Sequence, residues 1–271
     1  MEAGHPYLWA KMLFIGMVLA QGEVALPSSC THFAVDGLYH LYVWSEGERA
    51  LYKLWAPRYD SLSRIGGAPG EEGFLGVSSI APVGNQQVYI LDAAGQKIAL
   101  LGTNLQPLQQ LSYAQLPREV AEGYPTLLTV GGAGELYLLL RETQEIVKVD
   151  PFGRVLLRFG GKVYGPGRII GAAFLYAEAG RLYLIDTILR QVSTYDSWGN
   201  FLEAFPFPPQ AKDGRAFAQG KAFWRENVLW WYTSSAPLQE ITLPAAPQEV
   251  WVRGDRLYWA AGRRLGWLPL P

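Results

Sequence analysis

The amino-acid sequence predicts an all-β chain folded as a six-bladed β-propeller, and three observations carry that prediction. First, residues 136–159, LYLLLRETQEIVKVDPFGRVLLRF, align without a gap on residues 182–205, LYLIDTILRQVSTYDSWGNFLEAF. Tyr137 and Tyr183, Asp150 and Asp196, and Gly153 and Gly199 are each 46 residues apart. Second, an aliphatic residue followed by an aromatic recurs at Leu41-Tyr42, Val88-Tyr89, Leu136-Tyr137, Leu182-Tyr183, Leu229-Trp230 and Leu257-Tyr258, in steps of 47, 48, 46, 47 and 28. Apolar residues inside each unit alternate with period two, and short strands repeating in the mid-forties mark a propeller blade rather than a helical solenoid. Third, 30 Gly, 18 Pro and 36 aromatic residues in 271 suit many short strands joined by tight turns.

The elements follow in chain order. Lys11 precedes the apolar run Met12–Ala20, and the small residues at Val18-x-Ala20 predict a signal peptide, residues 1–20, cut before Gln21; the alternative is an uncleaved apolar segment. Nine residues are too few to span a bilayer, which takes about 20. Cys30 is the only cysteine, so no intramolecular disulfide forms. Its setting, LPSSC, is a poor lipidation site because Pro27 and Glu23 stand between it and the apolar run.

Residues 21–271 are expected to form one domain with blades at 31–67, 73–115, 124–161, 165–208, 214–245 and 246–271. The third shows its four strands most plainly, at 126–130, 136–140, 145–150 and 154–160, with Asp-Pro-Phe-Gly as the last turn. The sixth ends after three strands. A strand at Gly22–Pro27 is expected to complete it, so that the ring has no exposed edge.

The stretch LYLIDTILRQVSTYDSWGNFL resembles the NHL repeat at Asp186, Val192, Tyr195, Asp196 and Gly199, although Leu189 and Gln191 stand where that repeat has Asn and Arg. Asp92 occupies the position of Asp186, and Leu140 replaces it in the third blade. The resemblance implies a six-bladed propeller of the kind found in exported bacterial proteins, a fold that also hosts metal-dependent lactonases and peptide-amidating lyases. Fold alone does not choose among them.

Composition narrows the chemistry. With 23 Lys+Arg against 24 Asp+Glu there is no field to draw nucleic acid. Innermost strands are expected near 32–36, 76–82, 125–130, 169–174, 220–224 and 249–252. On them the ionisable residues are His32, Asp36, Lys221 and Glu249. The mature chain would hold two histidines, too few for a three-His zinc site, and these carboxylates are too few for a calcium shell of six to eight oxygens. No metal or other cofactor is therefore expected. His32 and Asp36, four apart on one strand, lie about 13 Å from each other and cannot hydrogen-bond. The Gly-rich stretches Val130–Glu135 and Gly66–Gly73 lack the Lys and following helix of a phosphate loop and read as turns.

Six tryptophans fall within 224–267. Alternation allows them to be core between blades, or an exposed strip in which Trp224, Trp231, Trp251 and Trp259 bind a partner. The resulting expectation is a monomeric, exported, non-catalytic binding or scaffold propeller. Its partner would be a protein, peptide or glycan held by mouth loops and the aromatic C-terminal blades. The alternative is a lactonase-like hydrolase or lyase with a metal in its channel.

Overall fold

A strand whose two faces are both covered by neighbouring sheets reads as continuous apolar sequence, and a strand at the rim alternates. The protein shows this gradient. In the computed structural model, which describes residues 22–67, 73–234 and 238–270, every residue of Leu41–Ser45 and Leu136–Leu140 is buried, whereas Val155–Gly160 and Phe201–Pro206 are partly exposed along their length. The predicted signal peptide lies outside the described residues.

The strands form six four-stranded antiparallel sheets, the blades of a ring. Blade 1 runs from His32 to Gly66, blade 2 from Val77 to Ser112, blade 3 from Pro125 to Gly160, blade 4 from Ala172 to Pro206 and blade 5 from Asp213 to Thr242. Blade 6 has three strands, Glu249–Arg253, Arg256–Ala261 and Arg264–Pro269, and its fourth is Gly22–Ala25 from the far end of the chain. Gly22 pairs with Trp267 and Ala25 with Arg264. Arg264 also donates to both carboxylate oxygens of Glu23 at 2.6 and 2.7 Å. Ring closure by the predicted N-terminal strand is thus observed, two residues shorter than expected.

Antiparallel order gives the ring two distinct faces. One, the hairpin face, carries the turns from first to second and from third to fourth strands; these are short. The other, the loop face, carries the second-to-third turns and the connections between blades, which reach 11 residues at 161–171 and 12 at 113–124. The N-terminal strand begins beside Trp267, near the end of a third strand, so the chain enters blade 6 from the hairpin face.

Blade 5 departs from the expected register. Its second strand is Gly220–Arg225 and its third Val228–Tyr232, so Ala222, opposite Arg215, takes the place of Tyr183, opposite Tyr176, and Trp230 lies on the third strand. The cause is the connection from blade 4, which needs only residues 207–212. A constant step in the mid-forties therefore overshoots the second strand and lands on the third.

Candidate functional site

Each innermost strand pairs on one side only, so its free edge borders a central channel of about 580 Å³. All six blades contribute to the lining. Because blades stack face to face, inner-strand side chains project sideways towards neighbouring blades, and a residue enters the channel wall by reaching over an edge.

Four such residues clasp the next blade. Ser79 Oγ accepts from the Leu128 N–H (3.0 Å), Thr129 Oγ1 from Ala177 (3.1 Å) and a Glu178 oxygen from Ala218 (3.2 Å). Glu249 Oε2 accepts from Phe33 (3.1 Å), which ties blade 6 to blade 1. The Leu128, Ala177 and Phe33 links each satisfy an N–H on the free edge of an inner strand, a group expensive to leave unpaired when buried, while the Ala218 N–H lies in the turn after the first strand of blade 5.

Glu249 is the hub of a buried cluster. Its Oε1 lies 3.5 Å from Arg215 Nη2 and its Oε2 3.5 Å from His32 Nδ1. Arg215 Nη1 donates to the Gly214 carbonyl (2.8 Å) and to Asp213 (3.2 Å). Burial works to raise the Glu249 pKa, but the His32 contact and the Arg215 charge outweigh it and hold the carboxyl below its ordinary value. Towards the hairpin face a second pair, Arg253 with Glu178 (3.6 Å), joins blade 6 to blade 4 across blade 5.

The same three blades supply an aromatic plug. Phe174, Tyr176, Phe217 and Trp251 pack mostly edge to face with centroids 5.2–6.2 Å apart, and Arg215 lies over Phe174 at 4.8 Å. Across the cavity the wall is small and polar, with Ser78, Ser79, Thr126 and Thr129 from blades 2 and 3. Among the described residues no three His, Cys, Asp or Glu side chains converge as a metal site.

Of the predicted channel residues, His32 and Glu249 line the cavity and meet there. Asp36 does not. It is buried behind the end of the first strand of blade 1, where it accepts the N–H groups of Leu38 (2.8 Å) and His40 (3.0 Å) and the Tyr42 hydroxyl (3.3 Å). Lys221 is also corrected: the shift of register puts it on the second strand of blade 5, over the Phe205 ring at 5.0 Å. The same shift hid Arg215, which sits on the true inner strand, Asp213–Phe217.

Nor do the four tryptophans form an exposed strip. Trp224, Trp231, Trp251 and Trp259 are each at most 5% exposed. Among the described residues the most exposed large apolar side chains are instead Phe152 (74%) and Trp198 (77%) on the hairpin face, and Val163 (82%), Tyr164 (91%) and Ile188 (66%) on the loop face.

No protein-family profile matches the chain, and no curated protein matches it. Solved structures do. The chain is a six-bladed β-propeller. It superposes on virginiamycin B lyase from Staphylococcus aureus with a TM-score of 0.61 at 13% identity, covering 93% of this chain and 99% of that one. It is similar to a luciferin-regenerating enzyme (TM-score 0.60, 14% identity, 92% and 95% covered). YCF48 bound to D1 peptide gives a TM-score of 0.56 at 11% identity, with 93% and 97% covered. At these identities the likeness concerns the propeller fold, which two enzymes and a peptide-bound protein share.

Proposed function

We propose that this propeller is an exported, non-catalytic binding module that engages a protein or peptide partner at its loop face. The observation that carries the reading is the commitment of the channel carboxylates. Glu249 is held by Phe33, Arg215 and His32, and Glu178 by Ala218 and Arg253. Glu135 at the hairpin mouth is held by Lys148 (3.0 Å) and by the Ala133 N–H (2.9 Å). A general base or a metal ligand needs a lone pair directed at substrate or ion; those of Glu249 and Glu178 are spent in joining blades and those of Glu135 within blade 3.

The loop face is favoured because the long connections lie there, and loops on a rigid scaffold are where binding residues concentrate. Val163 and Tyr164 on the connection from blade 3, with Ile188 on the adjacent turn of blade 4, supply exposed apolar anchors. A peptide-bound neighbour of the same fold is compatible with this use.

The test is partner capture from envelope extract by the purified protein, followed by affinity measurement with the identified partner. Tyr164→Ser with Val163→Ser should weaken it at least 30-fold, about 2 kcal/mol for a hot spot. The opposing result is lactone or ester hydrolysis that a folded Glu249→Gln variant has lost while the loop variants retain it, together with a stoichiometric bound metal. That would assign the chain to the lactonase-like alternative.

A further inference from the structure

Positive charge on the loop face gathers around blade 4. Three neighbouring segments of that face, the connection 161–171, the turn 187–190 and the connection 207–212, contain Lys162, Arg168, Arg190 and Lys212 and not one Asp or Glu. Towards blades 1 and 2 the balance is reversed. The turn 46–49 holds Glu46 and Glu48 with Arg49, and the connection 113–124 holds Glu119 and Glu122 with Arg118. The basic arc also carries Ile188 and the two most exposed large apolar side chains among the described residues, Val163 and Tyr164.

The arc is held in shape. The Ile169 N–H donates to the Gly161 carbonyl (2.8 Å), which closes the ends of the loop 161–169, and the Tyr195 hydroxyl donates to the Gly167 carbonyl (2.7 Å). The Thr187 N–H, on the turn of blade 4, donates to the Gly171 carbonyl at the end of the same connection (3.0 Å).

Neutral partners fix the cations. Lys162 Nζ donates to the Glu142 carbonyl (2.7 Å), Arg190 Nη2 to the carbonyls of Pro208 (3.1 Å) and Ala211 (3.0 Å), and Arg168 lies over the Tyr164 ring at 5.9 Å. Among the described residues none of the four cations pairs with a carboxylate. The adjoining acids are engaged: Asp186, fully buried, accepts the N–H groups of Ile170, Gly171, Ile188 and Leu189, and Asp213 lies 3.2 Å from Arg215. On the blade 3 side, Glu142 is offset by its sequence neighbour Arg141, and Glu145 lies 4.0 Å from Arg158. A carbonyl or a ring positions a cation without cancelling its charge. The arc thus presents uncompensated positive charge around three apolar side chains, in a geometry set before binding.

The extent of the arc decides what fits it. A bilayer or a nucleic-acid duplex would cover the whole face and bring its phosphates against Glu46, Glu48, Glu119 and Glu122, a repulsive juxtaposition. A peptide segment can cover the basic arc alone. We infer that the arc binds an acidic segment of the protein partner, with a bulky apolar side chain for Val163, Tyr164 and Ile188 and flanking Asp or Glu for the four cations. This rests on the loop face being the binding face, and it narrows the partner from any protein or peptide to one of that charge.

The experiment pans the purified protein against a displayed library of random peptides. Enriched sequences should combine net negative charge with an aromatic or aliphatic residue. One of them, synthesised and labelled, is then measured by fluorescence anisotropy. Raising NaCl from about 0.05 to about 0.5 M should weaken binding, because exposed charges are screened. Lys162→Gln with Lys212→Gln, both exposed and outside the strands, should weaken it about 5- to 10-fold and flatten the salt dependence. Arg168→Gln with Arg190→Gln should act in the same direction, and Arg49→Gln with Arg118→Gln, beyond the arc, should change neither readout. Unfolding curves of the lysine pair should coincide with the parent. Peptides that need Val163 and Tyr164 but show no acidic bias, or that ignore salt and the lysine pair, would overturn the inference and leave the loop-face reading standing. Peptides that ignore Val163→Ser with Tyr164→Ser, or no enrichment at all, would overturn both. Tighter binding of phosphatidylglycerol vesicles or of an oligonucleotide through the same cations would overturn the choice of a peptide.

Discussion

Tyr137 and Tyr183 hold one position in successive blades and are 2% and 6% exposed. Tyr137 packs edge to face on Phe159 at 6.5 Å and its hydroxyl reaches the Ser197 carbonyl of the next blade at 3.4 Å. Its ring therefore belongs to the junction between blades. Replacing either tyrosine by Ala removes a buried ring and should cost on the order of 3 to 5 kcal/mol. Urea unfolding followed by circular dichroism measures this, and a loss below about 1 kcal/mol at both would mean that the rings do not bear on the junctions.

Glu249 permits a prediction with a sign. Its pKa is held below the ordinary glutamate value of 4.5, so its stabilising contribution is complete above that value and is lost as pH falls through the lower, folded value. Unfolding free energy of the parent should thus drop on acidification below about pH 4.5. Glu249→Gln should be less stable at pH 7 by about 1 to 3 kcal/mol, the range for lost hydrogen bonds to a charged group, since Asp213 stays beside Arg215 at 3.2 Å, and its pH slope in the acid range should be shallower. Equal slopes would mean that another carboxylate dominates. Asp36, equally buried, serves the end of its own strand, so Asp36→Asn tests folding rather than binding.

At the scale of an element, the strand Gly22–Ala25 is the closure of the ring. Without it Arg264–Pro269 becomes an unpaired edge, a template for pairing with another chain. A chain that begins at Leu26 should have a lower melting temperature and should associate, visible by size-exclusion chromatography with light scattering. Unchanged melting and a monomeric profile would show that the pairing with Arg264–Pro269 is dispensable. The burial of Cys30 belongs here too. Its N–H donates to the Gly262 carbonyl (2.8 Å), and desolvation, with the nearby Glu249 charge, pushes its thiol pKa up. Processing at Cys30 would remove the closing strand, a physical reason against a lipid anchor at that residue.

At the scale of the molecule, the tryptophans of blades 5 and 6 are packing material, while Trp198 stands in solvent. Acrylamide should quench a minor, red-shifted part of the emission, and Trp198→Phe should remove it; quenching spread over many indoles would contradict the burial of Trp224, Trp231, Trp251 and Trp259. Export is tested by the intact mass of the protein made in a bacterial host. Loss of residues 1–20 is expected, and a mature chain that begins at Met1 would sink that expectation.

The class of fold, the number of blades and the origin of the closing strand were legible in the sequence, because they depend on local alternation and on a repeat that any blade of this width must show. Blade 5 marks where this ends. The pair Leu229-Trp230 satisfies the local pattern of a second strand, but the short connection before the blade, decided in three dimensions, places the second strand earlier, at Gly220–Arg225. That choice moved Lys221 off the inner strand and brought Arg215 onto it.

The candidate site was legible in part, at His32 and Glu249, for a related reason. Sequence shows which residues lie on an inner strand, but the channel is bordered by strand edges, and a side chain lines it only by leaning over one. The contact of Glu249 with Phe33, more than 200 residues away, exists because the ring closes. The exposure of Phe152 and Trp198, which sequence marks only as turn residues, was likewise decided by the tertiary structure: blade stacking covers the strands and leaves the tips of the turns bare.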